Sequence, residues 1–257
     1  MTFSPSQWAL AITGALMVGV SKTGISGLGM LFVVIFAQIM PAKQATGIVL
    51  PLLCFGDLIA AASYRQHAHW HHVWRLMPWT AAGVVIGYFA MGRINETQAR
   101  LLIGMIVISL VTLHVVRRWR SSASAKATGP EKTADAEEEK MPPWFAPIIG
   151  VLAGFTTLVA NAAGPLMVIY LLAMRLPKME YMGTGAVFFM IMNLFKVPFM
   201  VNLGLINAAS FTLNLWLAPA VFLGAWVGKK ILVKMNQRVF ENLALGLSAA
   251  AGLKLLF

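Results

Sequence analysis

Charge is scarce in this chain. Only 11% of its 257 residues are Asp, Glu, Lys or Arg and 59% are apolar, where a soluble globular domain carries about 25% and about 45–50%. An ordinary water-soluble enzyme is thereby excluded. Acids are scarcest: 9 Asp and Glu stand against 20 Lys and Arg, a formal charge of +11, and five of them (Glu131, Asp135, Glu137, Glu138, Glu139) share one short stretch. The bases outside that stretch are scattered singly between long apolar runs. No basic face of a folded domain can be drawn, so nucleic acid is excluded as a partner and the charge reads as membrane topology. Cysteine is limited to Cys54, inside an apolar run, which excludes a disulfide framework or a Cys-rich metal site. Nucleophile elbow, Walker loop, HExxH and dinucleotide fingerprint are all missing. Residues Gly24 to Gly29 resemble a phosphate loop only superficially, since no strand precedes them. Neither an enzymatic activity nor a cofactor is expected.

What the chain has in abundance is membrane-length apolar sequence. A spanning helix needs about 20 apolar residues, and such runs fill nearly everything except residues 118–143. The spacing predicts an all-α polytopic membrane protein: a first membrane repeat over 1–117, a disordered cytoplasmic linker over 118–143 and a second membrane repeat over 144–257. The linker is rich in Ser, Ala, Lys and Glu and has little to bury. In the first repeat the runs are about 8–40, 44–63, 77–92 and 99–116; in the second they are about 144–174, 182–203, 210–228 and 238–257. Each opening run is too long for one upright span at about 1.5 Å per residue. Each is also interrupted, at Ser21-Lys22-Thr23-Gly24 with Ser26-Gly27 and Gly29, and at Asn161-Ala162-Ala163-Gly164-Pro165. A broken or re-entrant helix pair followed by three transmembrane helices is the expected plan of each repeat.

The halves also match in register. Gly19 and Gly154 each precede a second glycine by ten residues, Gly29 and Gly164, which sets Ser26 opposite Asn161. Pro41 and Pro177 are each followed after six residues by Gly47 and Gly183 and after sixteen by Asp57 and Asn193. Such a match marks an internal repeat. If both opening elements return to the side they entered from, fourteen of the 20 bases are cytoplasmic; if each crosses only once, six of those fourteen move outside. The positive-inside rule selects the folded-back arrangement. Three full spans per half then make an inverted repeat with a cytoplasmic linker and both termini outside. No base precedes Lys22, which also argues against a cleaved signal peptide.

Inverted repeats with broken opening helices place substrate near the midplane, where free backbone N–H groups and positive helix ends suit an anion. Lys22 lies within an apolar run, where a lone ammonium costs at least about 2.5–3.5 kcal/mol; it should face a cavity, a partner or a ligand. Lys196 lies in a similar position, in Asn193-Leu194-Phe195-Lys196-Val197-Pro198. Asp57 is the only acid deep in an apolar run. It balances one of these lysines or carries a coupled proton. A third cluster, His67-Ala68-His69-Trp70-His71-His72, offers imidazoles for a transition metal, the basis of an alternative intramembrane metal protein or enzyme. With Trp70 and Trp74 beside it and Arg65 and Arg75 flanking it, it fits an interfacial belt better.

These residues carry a resemblance. Gly19-Val20-Ser21-Lys22-Thr23-Gly24-Ile25-Ser26-Gly27, then Leu50-Pro51-Leu52, Asp57-Leu58 and Tyr64-Arg65, resemble the opening signature of the sulfite exporter TauE/SafE family. So do Asn161-Ala162-Ala163-Gly164-Pro165, Tyr170-Leu171-Leu172, Gly183-Thr184-Gly185-Ala186 and Asn193 to Pro198 in the second half. The second motif departs from the His-Ala-Gly-Gly-Pro-Pro of many relatives, holding Asn161 where they have histidine. The resemblance implies a prokaryotic plasma-membrane transporter of two related halves, moving sulfite, organosulfonates or similar anions, usually outward.

Residues and resemblance together predict alternating access to an oxyanion site. Lys22 and Lys196 would supply attraction, Ser21, Thr23, Ser26, Asn161 and Asn193 hydrogen bonds, Gly24, Gly27, Gly29 and Gly164 room for the backbone, and Asp57 charge balance or a coupling proton. The partners expected are a small anionic substrate and the lipid bilayer, with a homodimer as the assembly considered.

Overall fold

The structure is a computed structural model and describes residues 3–25, 28–91, 93, 95–127 and 142–256. Its described residues are helical, with no strand among them. The first half holds α1 (Pro5–Thr23), α2 (Gly29–Ile39), α3 (Ala42–Tyr64), a short 3-10 turn (Arg65–His67), α4 (Trp70–Ala90) and α5 (Glu96–Ala127). The second holds α6 (Phe145–Ala160), α7 (Gly164–Ala173), α8 (Lys178–Asn202), α9 (Ala208–Lys234) and α10 (Gln237–Leu256). Both long opening runs are thus split where their Gly, Asn and Pro residues interrupt them. At the second break Asn161 adopts the left-handed conformation, φ 52° and ψ 33°, which asparagine tolerates better than most residues. Pro165 then stands in the first turn of α7, where its missing N–H costs no hydrogen bond.

The lengths have a consequence for the membrane. Helices α6 and α7 have 16 and 10 residues, about 24 and 15 Å at 1.5 Å per residue, so neither reaches across a hydrocarbon core of about 30 Å. Among the described residues Gln44–His67, Lys178–Asn202 and Ala208–Lys234 are long and apolar enough to cross. Trp216, Phe222, Trp226 and Val233 are exposed on α9, as expected of a surface that meets lipid rather than water.

Two boundaries differ from expectation. Helix α5 continues to Ala127, ten residues into the expected linker; the run Ser121-Ser122-Ala123-Ser124-Ala125-Lys126-Ala127 holds neither Gly nor Pro and three alanines, so nothing local stops the helix. The rest of that linker, 128–141, lies outside the described residues. Helix α4 begins at Trp70, before the apolar run proper, and carries His71 and His72 on its first turn.

Packing exchanges partners between the halves. Helix α1 lies against α9, α6 against α4, α3 against α8 and α5 against α10. The first two crossings are one contact made twice. A Cβ on Gly19 would lie 2.1 Å from the Val221 carbonyl oxygen, and one on Gly154 would lie 2.0 Å from that of Thr80. Reciprocally, a Cβ on Gly224 would meet the Leu16 oxygen at 2.0 Å and one on Gly83 the Val151 oxygen at 2.1 Å. One spacing relates Leu16 and Gly19 to Val151 and Gly154, and another relates Thr80 and Gly83 to Val221 and Gly224. Close backbone approach through small residues drives helix association in lipid, where no hydrophobic effect acts between helices.

Candidate functional site

The end of α1, the middle of α3, the end of α6 and the middle of α8 converge around the two breaks. Lys22 Nζ lies 2.6 Å from Asp57 Oδ1, with the two side chains 11% and 0% exposed. Asn193 Nδ2 donates to Asp57 Oδ2 at 2.5 Å. This joins α3 to α8 through the residues matched by the sequence repeat, and it makes Asp57 the counter-ion of Lys22. Burial without such partners would cost an ionised carboxylate several kcal/mol.

Lys196 is held differently. Its side chain is fully buried, and its ammonium donates to the Thr157 carbonyl at 3.0 Å, the Thr157 hydroxyl at 2.9 Å and Asn161 Oδ1 at 2.7 Å. All three protons find neutral acceptors, and among the described residues no carboxylate pairs with it. Asn161 Nδ2 in turn donates to the Thr46 carbonyl at 3.0 Å, which ties the second break to the start of α3. Buried Lys196, partly exposed Lys22 and buried Asp57 leave this region with a formal surplus of one positive charge.

Beside this cluster lies a cavity of about 80 Å³. On a scale where one water needs roughly 10–15 Å³, it holds several water-sized groups, enough for a small oxyanion. Ser21, Lys22, Gly29, Asp57, Asn161 and Gly164 line it. At Gly164 an added Cβ would meet nothing within 4 Å, so the first turn of α7, whose leading amides lack intrahelical acceptors, borders open space. Asn193 and Lys196 stand one layer behind the wall, acting on it through Asp57, Thr157 and Asn161. Ser26 and Gly27 lie outside the described residues.

Thr23 and Gly24 are corrections. The Thr23 hydroxyl donates to the Ala225 carbonyl at 2.6 Å and to that of Gly19 at 3.1 Å, and a Cβ on Gly24 would lie 2.5 Å from the Gly228 carbonyl oxygen. Both serve the crossing of α1 and α9, because they occupy the face of the last helical turn opposite the cavity. Two residues missed in the sequence belong to the site. Thr157 receives Lys196 and lines the cavity; the spacing that sets Gly19 opposite Gly154 also sets Lys22 opposite Thr157, which could have identified it. Phe189 lines the cavity with its ring centroid 4.3 Å from Lys22 Nζ, a cation–π contact that no local pattern signals.

The rings of His69 and His71 each contact that of His72, at centroid distances of 6.0 and 5.8 Å, but their polar contacts lead to different partners. His69 Nε2 lies 2.6 Å from Glu180 Oε2, its backbone amide donates to the Thr184 hydroxyl at 2.9 Å, and His72 Nδ1 lies 3.2 Å from the Tyr170 hydroxyl. Among the described residues no group of three or more His, Cys, Asp or Glu is placed to hold a metal ion. The metal reading of His67, His69, His71 and His72 is therefore corrected: these contacts clamp the start of α4 to α7 and α8.

The family described as Sulfite exporter TauE/SafE matches residues 10–255. A probable membrane transporter protein MamO of Magnetospirillum gryphiswaldense is 22% identical over 284 residues, covering 96% of this chain and 43% of its own. Its namesake from Paramagnetospirillum magneticum is 21% identical with the same coverage, 96% and 43%. The chain thus spans less than half the length of these curated relatives. No solved structure matches it.

Proposed function

The chain belongs to the sulfite exporter TauE/SafE family, and from that premise we propose that it is a secondary transporter exporting small sulfur-containing anions across a prokaryotic plasma membrane. The observation that carries the proposal is the pair of lysines at two helix breaks: Lys22 on the wall of a cavity, and Lys196 fully buried behind it with its direct acceptors all neutral oxygens. The surplus positive charge is completed by an anion in the cavity. Lys22 faces that anion directly, Ser21 and the Gly164 amide at the start of α7 donate to it, and Gly29 and Gly164 keep the backbone close. Lys196 sets the orientation of Asn161 and Thr157 and contributes its field from behind. Asp57 is the charge balance for Lys22.

The halves are oppositely oriented repeats that rock against each other for alternating access, with the linker in the cytoplasm and both termini outside. The matched crossings of α1 with α9 and of α6 with α4 support related halves, since equivalent residues make one contact twice. Flux of sulfite and of methanesulfonate into proteoliposomes, wild type against Lys22→Ala, tests the site. Flux should fall at least tenfold; unchanged flux refutes an anion site at Lys22.

A further inference from the structure

Helix α9 is longer than a membrane needs. Its 27 residues rise about 40 Å, about 10 Å more than the hydrocarbon core, and the excess falls at the end that carries Lys229, Lys230 and Lys234, because ammonium groups leave the core for the headgroups. All three are exposed. At about 100° per residue they share one face, about 140° wide, with exposed Phe222, Trp226 and Val233, while Val221, Ala225, Gly228 and Leu232 turn the other way into the bundle. Lys230 Nζ lies 3.5 Å from the centroid of the Trp226 ring, a cation–π contact that holds the ammonium where apolar side chains give way to basic ones. None of the three lysines serves the fold. The helix-end carbonyls of Leu232 and Met235, the usual targets of a basic residue in the last turn, are taken by Lys178 Nζ from α8, and among the described residues no carboxylate pairs with Lys229, Lys230 or Lys234. The internal repeat does not call for them either: the spacing that sets Gly83 opposite Gly224 sets Tyr88 and Phe89 opposite Lys229 and Lys230. Membrane orientation needs bases on one side of the bilayer, but not three of them on one helix face beneath a tryptophan.

We propose that this face of α9 is a binding site for an anionic phospholipid. The phosphate of the head sits between Lys230 and Lys234 with Lys229 beside them, and an acyl chain lies along Trp226 and Phe222. A phospholipid changes from apolar chain to charged head over the same depth at which this face changes from Phe222 and Trp226 to lysine, so one molecule meets both parts. A second copy of the chain fits worse: a two-fold dimer through this face, with its axis along the membrane normal, would set the lysines of both copies at one level, and like charges brought together oppose association. No residue of α9 lines the anion cavity, so the lipid and the transported anion do not compete for one place.

The test is tryptophan quenching in neutral-detergent micelles by dibrominated phosphatidylglycerol and by dibrominated phosphatidylcholine, with the Trp226 signal taken as the difference between each protein and its Trp226→Phe counterpart. One basic residue near an anionic surface is worth about a fivefold gain in binding, and three act here. Phosphatidylglycerol should therefore half-quench Trp226 at a mole fraction at least about tenfold below phosphatidylcholine. Lys229→Gln, Lys230→Gln and Lys234→Gln together should bring that ratio to about one, and inorganic phosphate at matched ionic strength should leave the wild-type quenching unchanged. A wild-type ratio within about threefold of one, a preference that survives the Lys→Gln replacements, or displacement by inorganic phosphate overturns the proposal. So does a Trp226 that neither lipid reaches, the result expected of a face covered by a second copy.

Discussion

Lys22 and Asp57 allow a double-mutant cycle whose size follows from the structure. Their charged atoms are 2.6 Å apart and Asp57 has no exposure. At an effective dielectric of about 20 that separation corresponds to roughly 6 kcal/mol of gross attraction, of which desolvation of the two groups consumes a part. The Lys22 side chain keeps 11% exposure and borders a cavity that water can enter, so the net coupling belongs below the gross figure, at about 2–4 kcal/mol. Asp57→Asn alone leaves a cation unbalanced and keeps one acceptor oxygen where Lys22 and Asn193 each had their own, and should destabilise by about 3 kcal/mol, the low end for breaking a buried pair. Lys22→Met alone leaves the carboxylate and should cost a similar amount. The double variant should lose far less than their sum, because no uncompensated charge remains. The measurement is reversible denaturant unfolding in mixed micelles for all four proteins. Effects that add within about 0.5 kcal/mol, the behaviour of independent sites, would refute the pairing as the role of Asp57. The cycle also separates fold from function: the double variant should lose about 2–4 kcal/mol where the two single losses sum to about 6, yet transport as poorly as Lys22→Met, since the cation at the cavity is gone.

Lys196→Met removes the surplus charge while keeping most of the side-chain volume; sulfonate flux should drop at least about tenfold, and flux within twofold of wild type would contradict its electrostatic role. Gly19→Ala and Gly154→Ala each push a methyl to within 2.1 and 2.0 Å of a carbonyl oxygen on the facing helix, so both should lower the yield of monodisperse protein severely and to a similar degree. Gly246→Ala, where nothing lies within 4 Å, should be neutral or gain up to about 1 kcal/mol from helix propensity, which unfolding in the same micelles would show. His69→Ala breaks a half-exposed pair with Glu180 and should change stability by less than about 1 kcal/mol; metal analysis of the purified protein should find no stoichiometric metal dependent on these histidines.

Much of the helix plan is legible from the chain because it depends on neighbours a few residues away. The breaks after Thr23 and Ala160 follow from Gly24, Asn161 and Pro165, whose backbone preferences act locally. The burial of Asp57 and Lys196, and the near burial of Lys22, follow from their place in apolar runs. The end of α5 departs from that pattern: low hydrophobicity after Arg117 points to a linker, whereas Ser and Ala with no Gly or Pro permit a helix to Ala127.

Partner choice was a different kind of question. Either lysine could have taken Asp57 on sequence grounds, and nothing within the segment around Thr23 tells a hydroxyl that faces substrate from one that faces the Ala225 carbonyl. Asp57 meets Asn193 across 136 positions of sequence, and Lys196 finds Thr157 and Asn161 on another helix. The sequence by itself determined the helices, their interruptions and which charged residues are buried, since these are set by the period of the helix and the dryness of its surroundings. The tertiary structure alone decided that Asp57 neutralises Lys22 and leaves Lys196 to neutral oxygens, because those pairings depend on where glycine-lined crossings bring distant helices to within hydrogen-bonding distance.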